Sequence, residues 1–202
     1  MARLFIAINL SDQQKNEIAA FQEKIKGYME GIRWVKPEGL HLTLKFLGET
    51  EETRIEQIIK GLDEAVSAVN RFDIICGKSG VFPSPRKARV IWIGLRKGNE
   101  EVSNLAARVD RSLTAIGFEP EKRSYTPHLT IARARGSITG KVIPLYLEQE
   151  ASFCTSPSTI DGITLYESKL SPQGATYIVR HKAFLSAETQ KNFFKDNKDG
   201  SD

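Results

Sequence analysis

The chain repeats one short pattern at a fixed distance, and this repeat limits the possible folds more than any other feature. His-Leu-Thr occurs at residues 41–43 and again at 128–130, so its two histidines are 87 residues apart. The segment SPRKARVI, from Ser84, returns as SPQGATYI from Ser171 at the same distance. Because two different patterns share one offset, the sequence predicts two structural units of about 87 residues within one fold.

The order of elements around each copy also repeats. The segment ARLFIAINL precedes a helical pattern, a glycine and the first His-Leu-Thr, and ARVIWIGL precedes the same series before the second. Arg3 and His41 are separated by 38 residues, and Arg89 and His128 by 39. The strand pattern of residues 3–9 occurs again at 89–95 and a third time at 175–185. Because two units contain three copies of this strand, we expect the two ends of the duplicated sequence to meet inside one unit and not between the units.

Helices and strands alternate along the chain in a pattern typical of a mixed fold. Apolar residues at helical spacing predict three helices: one capped by Ser11 with Gln14 in a capping box, one capped by Thr50, and one from about Glu100. Strands are predicted at 3–9, 41–46, 72–76, 89–95, 128–132, 159–166 and 175–185. A chain of 202 residues fits one domain of two small lobes. We expect this domain at residues 1–190, followed by a polar, disordered tail at 191–202.

Both copies of the tripeptide fall on predicted strands. Side chains alternate between the faces of a strand, so His41 and Thr43 point one way and the leucines between and after them point the other. The same holds for His128 and Thr130. If a twofold axis relates the two units, both polar faces line one groove that contains two imidazoles and two hydroxyls.

Such a groove suits phosphoryl chemistry. An imidazole titrates near neutrality, so one histidine can accept a proton while the other donates one. Threonine hydroxyls can donate hydrogen bonds to the non-bridging oxygens of a phosphate. Two histidines on opposite sides of a phosphorus atom fit an in-line displacement that requires no metal. The alternative is that both histidines are half-buried remnants of the duplication, bonded to the backbone; the repeat favours the catalytic interpretation.

Composition and charge limit which ligands, metal sites and membrane segments the chain can have. A net charge of +4 and a pI near 9.0 are compatible with a nucleic-acid or phosphate ligand. Three histidines without a matching carboxylate cluster argue against a metal centre. Cys76 and Cys154 lack metal-site spacing, which predicts reduced thiols in a cytoplasmic protein. No apolar run approaches 18 residues, so no membrane span is expected.

Five segments carry a resemblance to a known family: RLFIAI, HLTLKFLGE, FPSPRKARVIWIGL, YTPHLTIAR and LYESKLSPQGATY. Over about residues 3 to 185 the chain resembles the 2H phosphoesterase superfamily, most closely its RNA 2',3'-cyclic phosphodiesterase (2'-5' RNA ligase) branch. The resemblance implies an α+β, bilobal, pseudo-twofold duplicated fold, with two antiparallel sheets lining a central cleft and helices on the outside. It also implies hydrolysis of a terminal 2',3'-cyclic phosphate to a 2'-phosphate, without a metal or other cofactor.

The resemblance also assigns roles to residues. His41 corresponds to the donor that protonates the departing 3' oxygen, and His128 to the base that activates water. Thr43 and Thr130 correspond to the phosphate-binding hydroxyls. Arg133 corresponds to a further phosphate contact, although a regular strand would place it on the opposite face from His128.

Further candidates come from position alone. Lys45 shares the face of His41 if the strand alternates regularly, which makes it a second candidate phosphate ligand. Tyr125, Phe82 and Trp34 are candidates to stack on a base, with Tyr125 first because it precedes the second motif. His181 lacks a threonine two residues later and is expected to be an exposed strand residue.

Several substrates are compatible with the same machinery. RNA with a 2',3'-cyclic phosphate end, tRNA halves among the candidates, is the first hypothesis, acted on by a monomer that can also run the reverse 2'-5' ligation. A small cyclic nucleotide or a cyclic phosphate of ADP-ribose is the second. An RNA-binding module without catalysis is the third, against which the two complete motifs argue, since a binder needs no pair of proton-transfer groups.

Overall fold

The structure is a computed structural model that describes residues 1–27, 31–138, 153–171 and 174–187. The predicted tail at 191–202 lies outside the described residues, so the domain boundary at residue 190 stays a prediction.

All three predicted helices are present, and nine strands lie within the described residues. The helices are α1 (Asp12–Lys26), α2 (Ile55–Val66) and α3 (Asn99–Ala115). The strands are β1 (Ala2–Asn9), β2 (Ile32–Trp34), β3 (His41–Thr50), β4 (Phe72–Phe82), β5 (Ala88–Lys97), β6 (Leu129–Ile138), β7 (Ser158–Ile160), β8 (Gly162–Ser171) and β9 (Gly174–Phe184). Strand β2 was not predicted, because three residues are too few to show an alternating pattern.

The strands form two antiparallel sheets, which confirms the expected α+β architecture. The first sheet has the order β3-β1-β8-β9 and the second the order β2-β6-β5-β4-β7. The duplication relates three strands of each sheet in the same order. Motif strand β3 corresponds to motif strand β6, its neighbour β1 to β5, and β8 to β4. The third copy, β9, pairs with β8 and forms the outer edge of the first sheet.

Helices α1 and α3 each contact the sheet that does not contain the strand before them. Helix α1 follows β1 of the first sheet, yet its buried Gln22 donates a hydrogen bond to the carbonyl of Ile131 in the second sheet at 2.9 Å. Helix α3 follows β5 of the second sheet, yet its Asp110 pairs with Lys45 of the first. Each lobe is therefore completed by a helix from the other repeat, which joins the lobes into one folding unit.

Two helix starts differ from the sequence-based expectation. The Ser11 hydroxyl accepts from the Gln14 N–H at 3.2 Å, but the buried Gln14 amide donates to Thr155 at 3.1 Å instead of returning to the cap. Half of the predicted capping box is thus replaced by a tertiary bond. Thr50 is not the cap of α2; it is the buried last residue of β3, and α2 begins at Ile55 after a short 3-10 turn.

Candidate active site

The two motif strands meet between the sheets. Strands β3 and β6 are in contact although they belong to different sheets. The Tyr125 hydroxyl, in the loop before β6, donates to the main-chain carbonyl of Thr43 in β3 at 2.8 Å. The side chains of His41, Thr43, His128 and Thr130 are all partly exposed, whereas the intervening apolar side chains are buried. The burial pattern agrees with the predicted alternation in each motif strand. The contact between β3 and β6 brings the two motifs close together, and the surface between them is the candidate cleft.

Both imidazoles are oriented by the same kind of bond. His128 Nδ1 lies 2.7 Å from the carbonyl oxygen of Thr126, and His41 is hydrogen-bonded to the backbone of Gly39. In each case the partner is two residues earlier in the chain. Because a carbonyl only accepts, His128 Nδ1 carries a proton, which leaves Nε2 as the nitrogen available for proton transfer.

Aromatic rings enclose His41. Its ring centroid lies 5.0 Å from that of Phe5, 5.2 Å from that of Tyr177 in an edge-to-face contact, and 6.4 Å from that of Tyr166. These rings come from β1, β9 and β8, so three neighbouring strands of the first sheet surround one imidazole.

His128 has fewer aromatic neighbours. Phe82 contacts its ring edge-to-face at 5.1 Å, and Trp92 lies 6.1 Å away. Trp92 and Phe5 are 87 residues apart, so the ring beside each histidine belongs to the duplicated pattern. The second sheet has no counterpart of Tyr177 among these contacts, and the two imidazoles therefore have different environments.

The environment of His41 controls its charge. The pKa of His41 is lowered to about 4, chiefly by burial and in part by the nearby charge of Arg133, against the opposing effect of the Gly39 hydrogen bond. At neutral pH, without a ligand, His41 is therefore uncharged. The effect of Arg133 on β6 also indicates that its positive charge lies near the motif on β3.

A β-bulge at the same place in both motif strands explains how Arg133 reaches the cleft. In β6, Thr130 pairs with Trp92 and Ala132 with Ile91, so Ile131 is one extra residue. An extra residue reverses the alternation beyond it. Arg133 therefore lies on the face of His128, and the objection that a regular strand would turn it away does not hold.

The same bulge removes Lys45 from the cleft. In β3, Thr43 pairs with Ala7 and Lys45 with Ile6, which makes Leu44 the extra residue. Lys45 is 7% exposed, pairs with Asp110 and donates to the carbonyl of Glu119 at 2.7 Å. The prediction that Lys45 binds phosphate is wrong, because the bulge turns it away from His41.

The aromatic candidates from sequence have different positions. Tyr125 packs against the core, its hydroxyl is bonded to Thr43, and burial raises the pKa of that hydroxyl. It is therefore a structural link and not a base-stacking surface, so that prediction is wrong. Trp34 also packs against the core. Phe82 is partly exposed beside His128.

Comparison with known proteins gives the family. The family described as LigT like Phosphoesterase matches the chain twice, at residues 8–92 and 93–177. The chain belongs to the LigT-like phosphoesterases, within the 2H phosphoesterase superfamily. Two successive matches of one family agree with the duplication seen in the sheets.

Relatives of this LigT-like chain share most of its length. It is 37% identical to an RNA 2',3'-cyclic phosphodiesterase of Methanocaldococcus jannaschii over 88% of this chain and 97% of the relative. It is 32% identical to one of Aquifex aeolicus over 92% and 98%. Among solved structures, a Thermus thermophilus protein superposes with a TM-score of 0.77 at 23% identity, covering 93% of this chain and all of the other. Escherichia coli LigT complexed with 3'-AMP has a TM-score of 0.71 at 24% identity, with coverage of 92% and 98%.

A polar network that sequence reasoning missed lies beside the LigT-like motif strand β3. The Tyr166 hydroxyl donates to Asn9 Oδ1 at 2.5 Å, and Asn9 Nδ2 donates to Thr164 at 3.0 Å. Asn9 pairs with His41 across β1 and β3. The network therefore fixes the strand position opposite His41. Nothing local marks these residues, because their partners are more than 150 positions apart in sequence.

His181 lies away from the cleft. Its Nε2 lies 2.8 Å from Asp63 of α2, and the side chain is 25% exposed. It is an outer contact between β9 and α2, more buried than expected and not a third member of the histidine pair.

Within the described ranges, no group of three histidine, cysteine, aspartate or glutamate side chains is placed to bind a metal ion. None of the described helices is long and apolar enough to cross a bilayer.

Proposed function

We propose that this LigT-like phosphoesterase hydrolyses terminal 2',3'-cyclic phosphates of RNA to 2'-phosphates, with His41 and His128 as the acid–base pair. The observation that supports the proposal is the contact between the two His-x-Thr strands, in which each imidazole is hydrogen-bonded to the backbone two residues earlier. The curated relatives named RNA 2',3'-cyclic phosphodiesterase support the choice of substrate.

The reaction balances with two proton transfers. His128 Nε2 takes a proton from water, and the water oxygen forms a bond to phosphorus while the bond from phosphorus to the 3' oxygen breaks. His41 gives its proton to that leaving oxygen, and solvent restores both histidines afterwards. Thr43 and Thr130 donate to the non-bridging oxygens, where negative charge increases in the transition state. We assign Arg133, from the second lobe, to the same oxygens.

The low pKa of His41 bears on its role as the acid. A donor must be protonated, whereas His41 is uncharged at neutral pH in the free protein. A bound phosphate supplies a negative charge beside His41 and offsets the charge of Arg133, which raises the pKa when substrate binds. In the reversed assignment His41 is the base, and the uncharged form that it has in the free protein can accept a proton without any change of pKa. The rescue experiment in the Discussion separates the two assignments.

Small cyclic phosphates and RNA would use the same chemistry, and the relatives' names favour RNA. A 5'-hydroxyl of a second RNA in place of water would break the same phosphorus–oxygen bond and leave a 2'-5' linkage. We extend the proposal to this ligation, to tRNA halves as substrates, to a monomeric state and to the cytoplasm. The last is supported by two free cysteines, Cys76 and Cys154.

The test is incubation with an oligonucleotide that ends in a 2',3'-cyclic phosphate, followed by mapping of the product phosphate. We expect a 2'-phosphate, formed equally well in excess EDTA, because two histidines supply both proton transfers. The His41→Ala and His128→Ala variants are the controls. A 3'-phosphate product, no turnover, or activity lost to EDTA and restored by zinc or manganese would each contradict the proposal.

A further inference from the structure

Gln22 is a buried polar side chain of helix α1 that contacts segments of both motifs. It is 5% exposed, and its Nε2 donates to the carbonyl of Val35 at 2.9 Å and to the carbonyl of Ile131 at 2.9 Å. Because carbonyl oxygens only accept, the group between them must be the NH2 of the amide, and both of its N–H bonds are used. One amide therefore joins the segment before the first motif to the strand of the second.

The Ile131 carbonyl belongs to the bulge of β6. Ile131 is the extra residue between Thr130 and Ala132 in the pairing with β5. Its carbonyl also accepts the Val35 N–H at 2.9 Å, so Val35 and Gln22 together fill both of its lone pairs. A bulge interrupts the regular ladder, and these two donors hold it from the other side. They act at the residue that decides which face the side chains beyond it take.

Val35 connects the same amide to the first motif. It follows β2 and precedes the short turn that leads into His41. A Cβ placed on Gly39 of that turn would lie 3.1 Å from Val35 Cγ1, so the two residues are tightly packed. The backbone of Gly39 is in turn hydrogen-bonded to His41. The Gln22 amide is therefore linked to the first histidine by this path and to the second motif through the bulge.

We propose that Gln22 is a positioning residue, which holds the β6 bulge and the turn before His41 at a fixed separation and so aligns the two motifs for reaction. The inference rests on the proposed function, because it takes the two histidines as one acid–base pair. Gln22 acts through the backbone of Val35 and Ile131. A misplacement of about 1 Å in a reacting group can cost ~10²-fold in rate, so an amide outside the cleft can control turnover.

Gln14, on the same helix, is a matched control. It lies eight residues before Gln22 and is 0% exposed. Its Nε2 donates to the carbonyl of Ser156 at 3.0 Å and to the Thr155 hydroxyl at 3.1 Å, and neither partner lies on a motif strand. Replacement of either glutamine by methionine keeps the length of the side chain and removes its donors. Both variants should therefore lose stability, and only one should lose the alignment of the motifs.

The test measures steady-state kinetics on an oligonucleotide that ends in a 2',3'-cyclic phosphate, together with urea denaturation of each variant. In Gln22→Met we expect kcat to fall by roughly 10- to 100-fold with little change in KM, because alignment matters most in the transition state. Gln14→Met should keep kcat while its denaturation midpoint falls to a similar extent. Gln22→Asn, which keeps the amide but is one carbon shorter, is a milder second variant and should lower kcat by less.

A second measurement does not depend on turnover. Proton NMR of the imidazole ring follows the pKa of His41, which is about 4 chiefly because the ring is buried. If Gln22 holds the turn before the first motif, Gln22→Met should expose the ring and raise this pKa toward 6.5. In Gln14→Met the pKa should stay near 4.

Equal losses of kcat in Gln22→Met and Gln14→Met would overturn the inference, because they would reflect stability alone. An unchanged kcat in Gln22→Met would overturn it whatever the titration shows, as would loss of the fold in both Gln22 variants when Gln14→Met folds. If the unmodified protein turns over no cyclic phosphate, the proposed function fails and the titration decides: a raised His41 pKa in Gln22→Met alone supports the positioning role, and an unchanged one disproves it.

Discussion

The two motif histidines share a sequence pattern but not an environment. His41 lies among three aromatic rings and near Arg133, whereas His128 contacts two rings at the other side of the cleft. A duplicated fold can therefore surround identical residues differently, which an acid–base pair requires.

The lowered pKa of the partly buried His41 should make stability depend on pH. Its pKa is near 4 in the folded protein and near 6.5 when unfolded, so the unfolded chain binds more protons between these values. Stability should therefore fall as the pH decreases from 7 toward 4. Between pH 7 and pH 5 we expect the free energy of unfolding to fall by about 2 kcal/mol more than in His41→Phe, measured by urea denaturation. Equal pH dependence in both proteins would show that His41 is not shielded as described.

Alanine variants of the two histidines should separate acid from base. Each replacement should lower the rate by ~10²–10⁴-fold on a 2',3'-cyclic phosphate. A phosphodiester with a phenolate leaving group needs no proton at that oxygen, so His41→Ala should recover part of its activity there and His128→Ala should not. Recovery of His128→Ala alone would reverse the assignment of donor and acceptor.

At the level of secondary structure, two equivalent bulges determine which side chains face the cleft. The bulge in β6 directs Arg133 into the cleft, and the bulge in β3 directs Lys45 toward α3 and brings Phe46 to the cleft face. The loop before β6 is linked to β3 by Tyr125, so the relative position of the two motif strands depends on a hydrogen bond between them.

Removal of that hydrogen bond should affect catalysis more than ligand binding. Tyr125→Phe keeps the packing of the ring but leaves the Thr43 carbonyl without its donor. We expect a loss of about 1–2 kcal/mol in the free energy of unfolding and a decrease in kcat with little change in KM. Denaturation and steady-state kinetics on a cyclic phosphate measure the two effects. An unchanged kcat would mean that the strands keep their positions without this bond.

For the whole molecule, α1 and α3 each contact the sheet of the other repeat, so the two sheets share their helices. The net charge of +4 adds a general attraction for RNA. If Arg133 binds the terminal phosphate as proposed, any further contact with RNA must come from other basic residues of the chain.

The affinity for RNA should therefore depend on salt and on length. We expect the apparent affinity for an oligonucleotide with a 2',3'-cyclic phosphate end to decrease more steeply with salt than that for a cyclic mononucleotide. Filter binding with the His128→Ala variant at several salt concentrations gives both slopes without turnover. Equal slopes would favour a small cyclic phosphate as the substrate.

The sequence by itself determined the features that depend on local pattern. The 87-residue offset predicted the duplication, and strand alternation placed His41 with Thr43 and His128 with Thr130 on polar faces. Both are confirmed, because hydrophobic spacing within one strand decides which side enters the core. The three helices followed from the same reasoning at a period of 3.6 residues.

Only the tertiary structure decided which further residues border the cleft. A bulge depends on how a strand pairs with its neighbour, so alternation counted along one strand placed Lys45 and Arg133 on the wrong faces. Burial of Tyr125 and the ring cluster around His41 come from segments distant in sequence, which no local pattern connects. The repeat also relates Phe46 to Arg133, because each follows the histidine of its motif by five residues. The exposure of Phe46, however, follows from the packing of β3 against β1, and that contact exists only in the folded chain.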